Sequence, residues 1–326
     1  MNFTTTQTAY SKTGFFSKMV QDYLGQVKQL EPFYAHPVSL DGIKAAIKDR
    51  KNYSTNRALL AEELKKQYQH IPVSKELEKN IGLLLSENTF TITTAHQPNI
   101  FTGHLYFIYK ILHAIKLAEY LKAEIPASDF VPVFYMGSED ADLDELGHVH
   151  INGVKHEWKT DQTGAVGRMK VDKALIKILD EIAGEITVHP YGKDIIHLMK
   201  NCYTDGATIE QATLKMVNEL FGEYGLIVLL PDNAALKRSF SPVVEKELTE
   251  AFSHKIVEET AATFPKEYKV QASGRELNLF YLKDSSRERI EKKNARYSII
   301  NSQFSFSEPE MLQELEDHPE RFSANV

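Results

Sequence analysis

Apolar positions along this chain change rhythm near residue 86. Before it they recur at helical spacing: Phe15, Met19, Tyr23 and Leu24, then Leu59, Leu60, Leu64 and Tyr68 in a segment that Ser54 or Thr55 opens as N-cap. A third helix is predicted from about Ser74 to Leu84. Residues 1–85 are therefore expected to form a helical layer covering a sheet. After that point strands and helices alternate. Thr89–Thr94 reads as a strand and His104–Leu121 as a helix, with an apolar face expected through Leu105, Ile108, Leu112, Ile115 and Leu117. Phe130–Met136 is a nearly continuous apolar run, as buried parallel strands usually are.

Strand, helix, strand in this order implies a βαβ unit with a right-handed crossover, and so an α/β fold with a Rossmann-like parallel sheet over residues 86–326. Leu226–Leu230 reads as a further buried strand, ended by Pro231-Asp232-Asn233 and followed by helix to about His254. Residues 147–171 look different, with Gly153, Gly164 and Gly167 at turns, and helices are expected from about 173 to 222. Together these suggest an insertion of β-rich and helical segments over about 147–222. Short strands are expected at Leu277–Leu282 and Tyr297–Asn301, and a helix at Pro309–Leu315. The chain then stops as a new strand begins, which suggests the front part of a longer polypeptide.

Composition narrows the function. Lys plus Arg is 38 and Asp plus Glu is 45, so the formal charge is 38 − 45 = −7. Without a basic block, an acidic chain is a poor nucleic-acid binder. Cys202 is the single cysteine, which excludes an internal disulfide and a cysteine zinc site. Its mixed polar surroundings favour a semi-buried structural role. The N-terminus has neither a basic nor an apolar leader region, and no apolar run approaches a bilayer span. A cytoplasmic protein that does not engage membranes is expected.

Ligand sites in open α/β sheets lie beyond the carboxyl ends of the strands. Two such ends carry reactive side chains. After the first strand, His96 and His104 bracket a turn holding Pro98 and Gly103, and a helix N-terminus follows. Such a terminus offers backbone N–H groups and a positive dipole end to a phosphate or carboxylate. After the second strand comes Gly137-Ser-Glu-Asp-Ala-Asp-Leu-Asp-Glu145. Histidines facing carboxylates could orient an amine, bind a metal or move protons. His148 and His150, two apart on a strand, could join His96 and Asp140 in a metal-dependent hydrolase. A non-catalytic nucleotide-binding module is a third reading. No His-Glu-x-x-His, Walker A, Gly-x-Gly-x-x-Gly or Gly-x-Ser-x-Gly motif is present.

Several stretches resemble one family. His96-Gln-Pro, Gly103-His-Leu-Tyr with Tyr109-Lys110, Phe130-Val-Pro-Val-Phe, Glu139-Asp140 and Asp144-Glu145 are similar to the bacillithiol biosynthesis cysteine-adding enzymes. Gly167-Arg-Met, Tyr224-Gly-Leu-Ile-Val, Leu236-Lys-Arg and Asn278-Leu-Phe-Tyr-Leu282 extend the likeness in family order. The resemblance implies a core related to nucleotidyltransferases and class I synthetases, with a C-terminal coiled coil that dimerises the full-length protein. It implies ligation of cysteine to the amino group of glucosaminyl-malate, the last step of bacillithiol synthesis, by an enzyme able to bind ATP or ADP. No metal is implied.

On this reading the cysteine carboxylate is activated as an acyl-phosphate or adenylate. His96, His104 and the helix N-terminus stabilise the transferring phosphate, and Asp140 or Asp142 orients and deprotonates the amine. Gly103 belongs to the helix start that holds phosphates. Gln97, Asn99 and Glu139 are expected to bind substrate, and Lys110 and Arg168 to meet the malate carboxylates. The Lys-Ser-rich nucleotide motif of such folds has its nearest counterpart in Asp284-Ser-Ser-Arg287.

Overall fold

A computed structural model describes residues 4–271 and 274–324. The chain divides into two compact units, Met1–Thr55 with Ala251–Glu276, and Asn56–Glu250 with Leu277–Val326. The first contains the helices α1 (Tyr10–Thr13), α2 (Lys18–Leu24), α3 (Leu40–Arg50) and α12 (Phe252–Thr263). Ser17 and Ser39 accept hydrogen bonds from the first turns of α2 and α3, as N-caps do. Aromatic contacts hold the unit, with Phe33 edge-on to Phe264 at 4.9 Å and the Tyr268 hydroxyl donating to Asp22 at 2.7 Å. The expected helical layer of 1–85 is thus divided, because the next two helices pack within the second unit.

Those helices are α4 (Arg57–Gln67), capped by Asn56 rather than Ser54 or Thr55, and α5 (Lys75–Leu83), capped by Ser74. They lie against a parallel sheet of β1 (Thr89–His96), β2 (Asp129–Met136) and β5 (Ile227–Leu229), in the order β1-β2-β5. Crossover helix α6 (Leu105–Glu124) joins β1 to β2, whose register runs from Thr89↔Asp129 to His96↔Met136. The core here unites Leu77 and Ile81 of α5, Phe107 and Ile111 of α6, and Val131, Phe134 and Met136 of β2. Gln67 seals the β5 edge: its amide donates to the Val228 carbonyl at 2.8 Å and accepts from the Leu230 N–H at 3.2 Å. Side-chain amide thereby replaces a missing strand and leaves those edge groups satisfied.

The apolar face of α6 differs from the expected one. Phe107, Ile111, Ala114, Ala118 and Leu121 are buried together with Ile115, while Leu105 is 68 % and Leu112 36 % exposed. The helix is apolar almost all round at its start, so its own pattern does not select a face. Packing against β1 and β2 does.

The insertion begins with α7 (Leu143–Leu146) and a two-stranded hairpin, β3 (His148–Ile151) and β4 (Val154–Glu157). Helices α8 (Lys173–Ile186), α9 (Gly192–Cys202) and α10 (Ile209–Phe221) follow. It has its own apolar cluster around Trp158, Leu175, Leu179 and Tyr203. Helix α10 serves both cores, with Ile209, Ala212 and Met216 on the insertion side and Leu214, Val217 and Phe221 on the sheet side.

After α11 (Ala234–Glu250) the chain builds a five-stranded antiparallel sheet in the order β10-β6-β7-β8-β9. Its strands are β6 (Leu279–Lys283), β7 (Ser286–Lys293), β8 (Arg296–Ile299), β9 (Ser305–Ser307) and β10 (Phe322–Ala324), with α13 (Glu308–Asp317) before the last. The strand expected to start at Phe322 is therefore present, pairing antiparallel with β6. Strand β7 had no expectation: Ser286–Lys293 is too rich in charge to show a period-2 apolar pattern. No helix among the described residues is long and apolar enough to cross a membrane.

Candidate active site

Parallel pairing brings the carboxyl ends of β1, β2 and β5 to one edge, and a cleft of about 250 Å³ opens there. Ala95, His96 and Gln97 come from β1 and its exit, Gly137, Glu139 and Asp140 from the exit of β2, and Pro231 from the exit of β5. Arg287 of β7 and Ser323 of β10 close the opposite wall. The loop after β2 is held from two sides. Gly137 N–H donates to the His96 carbonyl at 2.8 Å, and a 3-10 turn at Val166–Arg168 donates from Val166 and Gly167 to the carbonyls of Asp140 and Ser138. A Cβ at Gly167 would sit 2.5 Å from both Cβ and carbonyl oxygen of Ser138, so glycine permits this approach.

Asp140 is the best-placed carboxylate. One oxygen accepts from Gln97 Nε2 at 3.0 Å and the other from the Ala141 N–H at 2.8 Å, with Arg287 Nη1 3.7 Å away. The Arg287 guanidinium lies over the Phe280 ring, 3.7 Å from its centroid, a cation–π contact. His96 Nδ1 is 3.0 Å from the Gln97 carbonyl, which can only accept, so Nδ1 carries the hydrogen. Burial lowers the His96 pKa, leaving the ring neutral at neutral pH with Nε2 accepting from the Tyr106 hydroxyl at 2.9 Å. Tyr106 in turn stacks on His104 at 5.4 Å, and His104 meets His148 edge-on at 6.2 Å. A ladder of rings thus leads from the cleft over the start of α6.

The other sequence candidates are placed as follows. His104 is the N-cap residue of α6 and makes no side-chain capping bond; it does not line the cleft. Asp142 is the N-cap of α7, accepting from the Glu145 N–H at 3.2 Å, and is likewise outside the lining. Asn99 is buried beneath the turn and touches the position that a Cβ on Gly103 would occupy. Phe101, Thr102 and Gly103 all have positive φ, at 53°, 72° and 57°. Buried Phe101 anchors this strained turn, packing on Tyr203 at 4.9 Å and donating its N–H to the Tyr203 hydroxyl at 3.1 Å. Lys110 donates to the Ala95 carbonyl at 2.7 Å. Cys202 is buried, which pushes its thiol pKa up to about 11, and it has the inert character expected of a structural residue.

Arg168 departs from its expected role as a ligand for malate. Its guanidinium forks onto Asp232 through Nε at 2.6 Å and Nη2 at 2.8 Å, and Nη2 also reaches the Glu320 carbonyl at 3.3 Å. The reason is the exit of β5, which sequence reading recognised as a strand end without assigning chemistry to it. Lys237 of α11 joins the same network, pairing with Glu139, with Asp232 at 3.3 Å and with the Glu320 carbonyl at 3.0 Å. Burial works to raise the Asp232 carboxyl, yet the Arg168 hydrogen bond and the Lys237 charge hold it below the ordinary carboxylate range. Ser323 donates to the remaining Glu139 oxygen at 3.1 Å.

Glu210, at the start of α10, borders this network and behaves oppositely. Burial and the Asp232 charge push its pKa up to about 7. A carboxyl more basic in the folded than in the unfolded chain favours folding below its unfolded value and loses that contribution as pH rises through the folded one. Stability should therefore decline between about pH 4.5 and about pH 7. Glu210→Gln should abolish that decline and raise stability at pH 8 by roughly 2 kcal/mol. Urea unfolding of both proteins at pH 5 and pH 8 checks this; parallel pH dependence would contradict it.

The hydrolase set of His96, His148, His150 and Asp140 does not converge. Among the described residues no group of three or more His, Cys, Asp or Glu side chains is arranged to hold a metal. His148 instead commits Nδ1 to the Asp144 carbonyl at 2.9 Å.

Known proteins agree with a Rossmann-like core. The family model "Bacillithiol biosynthesis BshC, N-terminal Rossmann-like domain" matches residues 1–326. The chain belongs to the BshC family. Proteins named "Putative cysteine ligase BshC" from Cytophaga hutchinsonii and Flavobacterium johnsoniae are 43 % identical over 312 residues and 41 % identical over 320. One from Chlorobaculum tepidum is 29 % identical over 327. These alignments cover 95 %, 98 % and 95 % of this chain but only 58 %, 60 % and 58 % of the relatives. The chain thus spans about three fifths of the length of the BshC relatives it matches.

Proposed function

We propose that this chain is the Rossmann-like part of a ligase that joins cysteine to the amino group of glucosaminyl-malate, forming an amide in bacillithiol synthesis. The observation that carries the reading is the cleft where Asp140, His96 and Arg287 meet at the carboxyl edge of a parallel sheet. Membership of the BshC family and the relatives' names support it.

Condensing a carboxylate with an amine in water is uphill, so the carboxylate must first be activated. In the proposed reaction a cysteine carboxylate oxygen attacks a phosphoryl group of ATP, displacing ADP or pyrophosphate. The amine then attacks the acyl carbon, loses one proton and expels phosphate or AMP. Asp140, held by Gln97, orients that amine and receives the proton. Arg287 meets the anionic group on the carboxylate side, since its planar fork matches phosphate and carboxylate oxygens. The neutral His96 donates nothing through Nε2 while Tyr106 occupies it; turning Tyr106 away frees that lone pair for a proton. Asp232, Arg168 and Lys237 brace the loops that carry these groups and touch no substrate. The full-length protein acts in the cytosol as a homodimer through a C-terminal coiled coil.

Deleting the gene and profiling low-molecular-weight thiols by mass tests the reading. Loss of bacillithiol with accumulation of glucosaminyl-malate is the expected result. Accumulation of an earlier precursor, or an unchanged profile in a strain without a second copy, would refute it.

A further inference from the structure

The cleft at the strand ends continues into a second lobe of different chemistry. A cavity of about 280 Å³ shares Tyr135, Glu139, Pro231 and Ser323 with the cleft and extends between α11, α13 and β10. Leu236, Phe240, Val244, Leu315 and Phe322 form its far walls. Lys237, the lobe's one cation among the described residues, gives its three N–H groups to Glu139, Asp232 and the Glu320 carbonyl. No histidine or cysteine among the described residues lines it. Glu139 stands where the two lobes meet. Its carboxylate takes Lys237 on one oxygen and the Ser323 hydroxyl on the other. That leaves lone pairs open, since an ionised carboxylate accepts about four hydrogen bonds.

These surfaces specify a ligand. The junction carries an anion and suits a cation. Arg287 in the cleft suits a carboxylate, and the lobe behind the junction suits an apolar branch. The ionised side chains lining the two lobes are Glu139 and Asp140 against Lys237 and Arg287, so a ligand without net charge matches them. A carbon bearing an ammonium, a carboxylate and a side chain is an α-amino acid. Size decides which one. A cavity of about 150 Å³ already holds a benzene ring, so this lobe is several times larger than a –CH2–SH group needs. An apolar pocket with spare room does not reject a longer apolar side chain, and no group in these walls reads sulfur. Resting on the ligase reading above, we propose that the lobe is the side-chain pocket for the amino-acid substrate, whose ammonium meets Glu139. We infer that it admits apolar amino acids larger than cysteine, methionine and leucine among them, for ligation to the same amine. The steps are those given above: the C–N bond forms at the acyl carbon, phosphate or AMP leaves it, and Asp140 receives the amine proton. Glu139 also keeps the substrate's own amine as an ammonium, which has no lone pair to attack a second acyl group.

Calorimetry on the full chain tests the pocket, with alanine, cysteine and methionine as probes. Methionine should bind about tenfold more tightly than cysteine, because two further carbons leave water. On the unaltered protein γ-methylthiobutyrate, which is methionine without its amino group, should bind about tenfold more weakly than methionine or worse. Leu236→Trp, which fills the lobe, should weaken methionine binding by about tenfold or more and leave alanine binding unchanged. Should that variant lose alanine binding too, the comparison of methionine with its deaminated analogue decides. Methionine bound no more tightly than alanine, or no more tightly than γ-methylthiobutyrate, would overturn the proposal. Mass analysis of the products formed from glucosaminyl-malate and ATP with each amino acid separates the two readings. Product from cysteine alone rejects the wider pocket and keeps the ligase. Methionine binding that Leu236→Trp weakens, with no amide from any amino acid, rejects the ligase alone.

Discussion

Asp232→Ala should cost the protein about 3–5 kcal/mol of folding stability, the scale of removing one partner from a buried ion pair. Two cations depend on this one carboxylate. The Asp232 side chain is 9 % exposed, Arg168 21 % and Lys237 11 %, so the variant strands positive charge where water has little access. Arg168 would keep only its contact with the Glu320 carbonyl, while Lys237 would retain Glu139. The loss appears as a lower urea midpoint with an unchanged slope, and as a fall in Tm of roughly 10 °C. Adding Arg168→Met should recover part of it, because the penalty lies in the uncompensated charge rather than in the missing attraction. A loss below about 1 kcal/mol would mean that solvent reaches the network and that it braces nothing.

Asp140→Asn should lower turnover by about 10²-fold or more, the contribution expected of a positioned general base. Asparagine has nearly the same shape; its oxygen can keep the Ala141 N–H while its NH2 donates to the Gln97 amide turned over to present its oxygen, so the loop should hold its conformation. What disappears is the charge that attracts the amine and takes its proton. The variant's rate should therefore climb with pH as the free amine becomes deprotonated in solution, narrowing the gap to the parent protein under alkaline conditions. KM for cysteine should change little by comparison. Turnover near the parent level, or a deficit equally large at every pH, would remove Asp140 from the proton-transfer role.

These two residues were unequally legible. Asp140 lies directly after an apolar run that reads as a buried strand, and the strand-end rule points to it. Asp232 stands in the same relation to β5, but Pro231-Asp232-Asn233 reads equally well as a simple turn. Only its partners reveal its work, and they lie 64 residues before it and five after it. Arg287 was harder still. Ser286–Lys293 has no apolar alternation, so nothing local marks it as a strand, and β7 reaches the cleft only through the antiparallel sheet. His104 is the reverse case. Its position at a helix start was correctly legible, yet the side chain joins Tyr106 and His148 rather than the cleft lining.

Local pattern alone determined what depends on neighbours a few residues away: the strands β1 and β2, the helix between them, the helix α5, and the parallel α/β class that follows from their order. Family-specific stretches added membership of the BshC family. Tertiary structure decided whatever depends on which distant surfaces meet. It selected the buried face of α6 from a helix apolar nearly all round, and it moved α4 and α5 into the sheet's unit. It turned Arg168 from a free cation into the partner of Asp232, and brought Arg287 and Ser323 across to the strand ends. The physical reason is range. Helix and strand periodicity record burial along one element, whereas an ion pair or a cleft wall requires two segments whose encounter is set by the packing of the whole core.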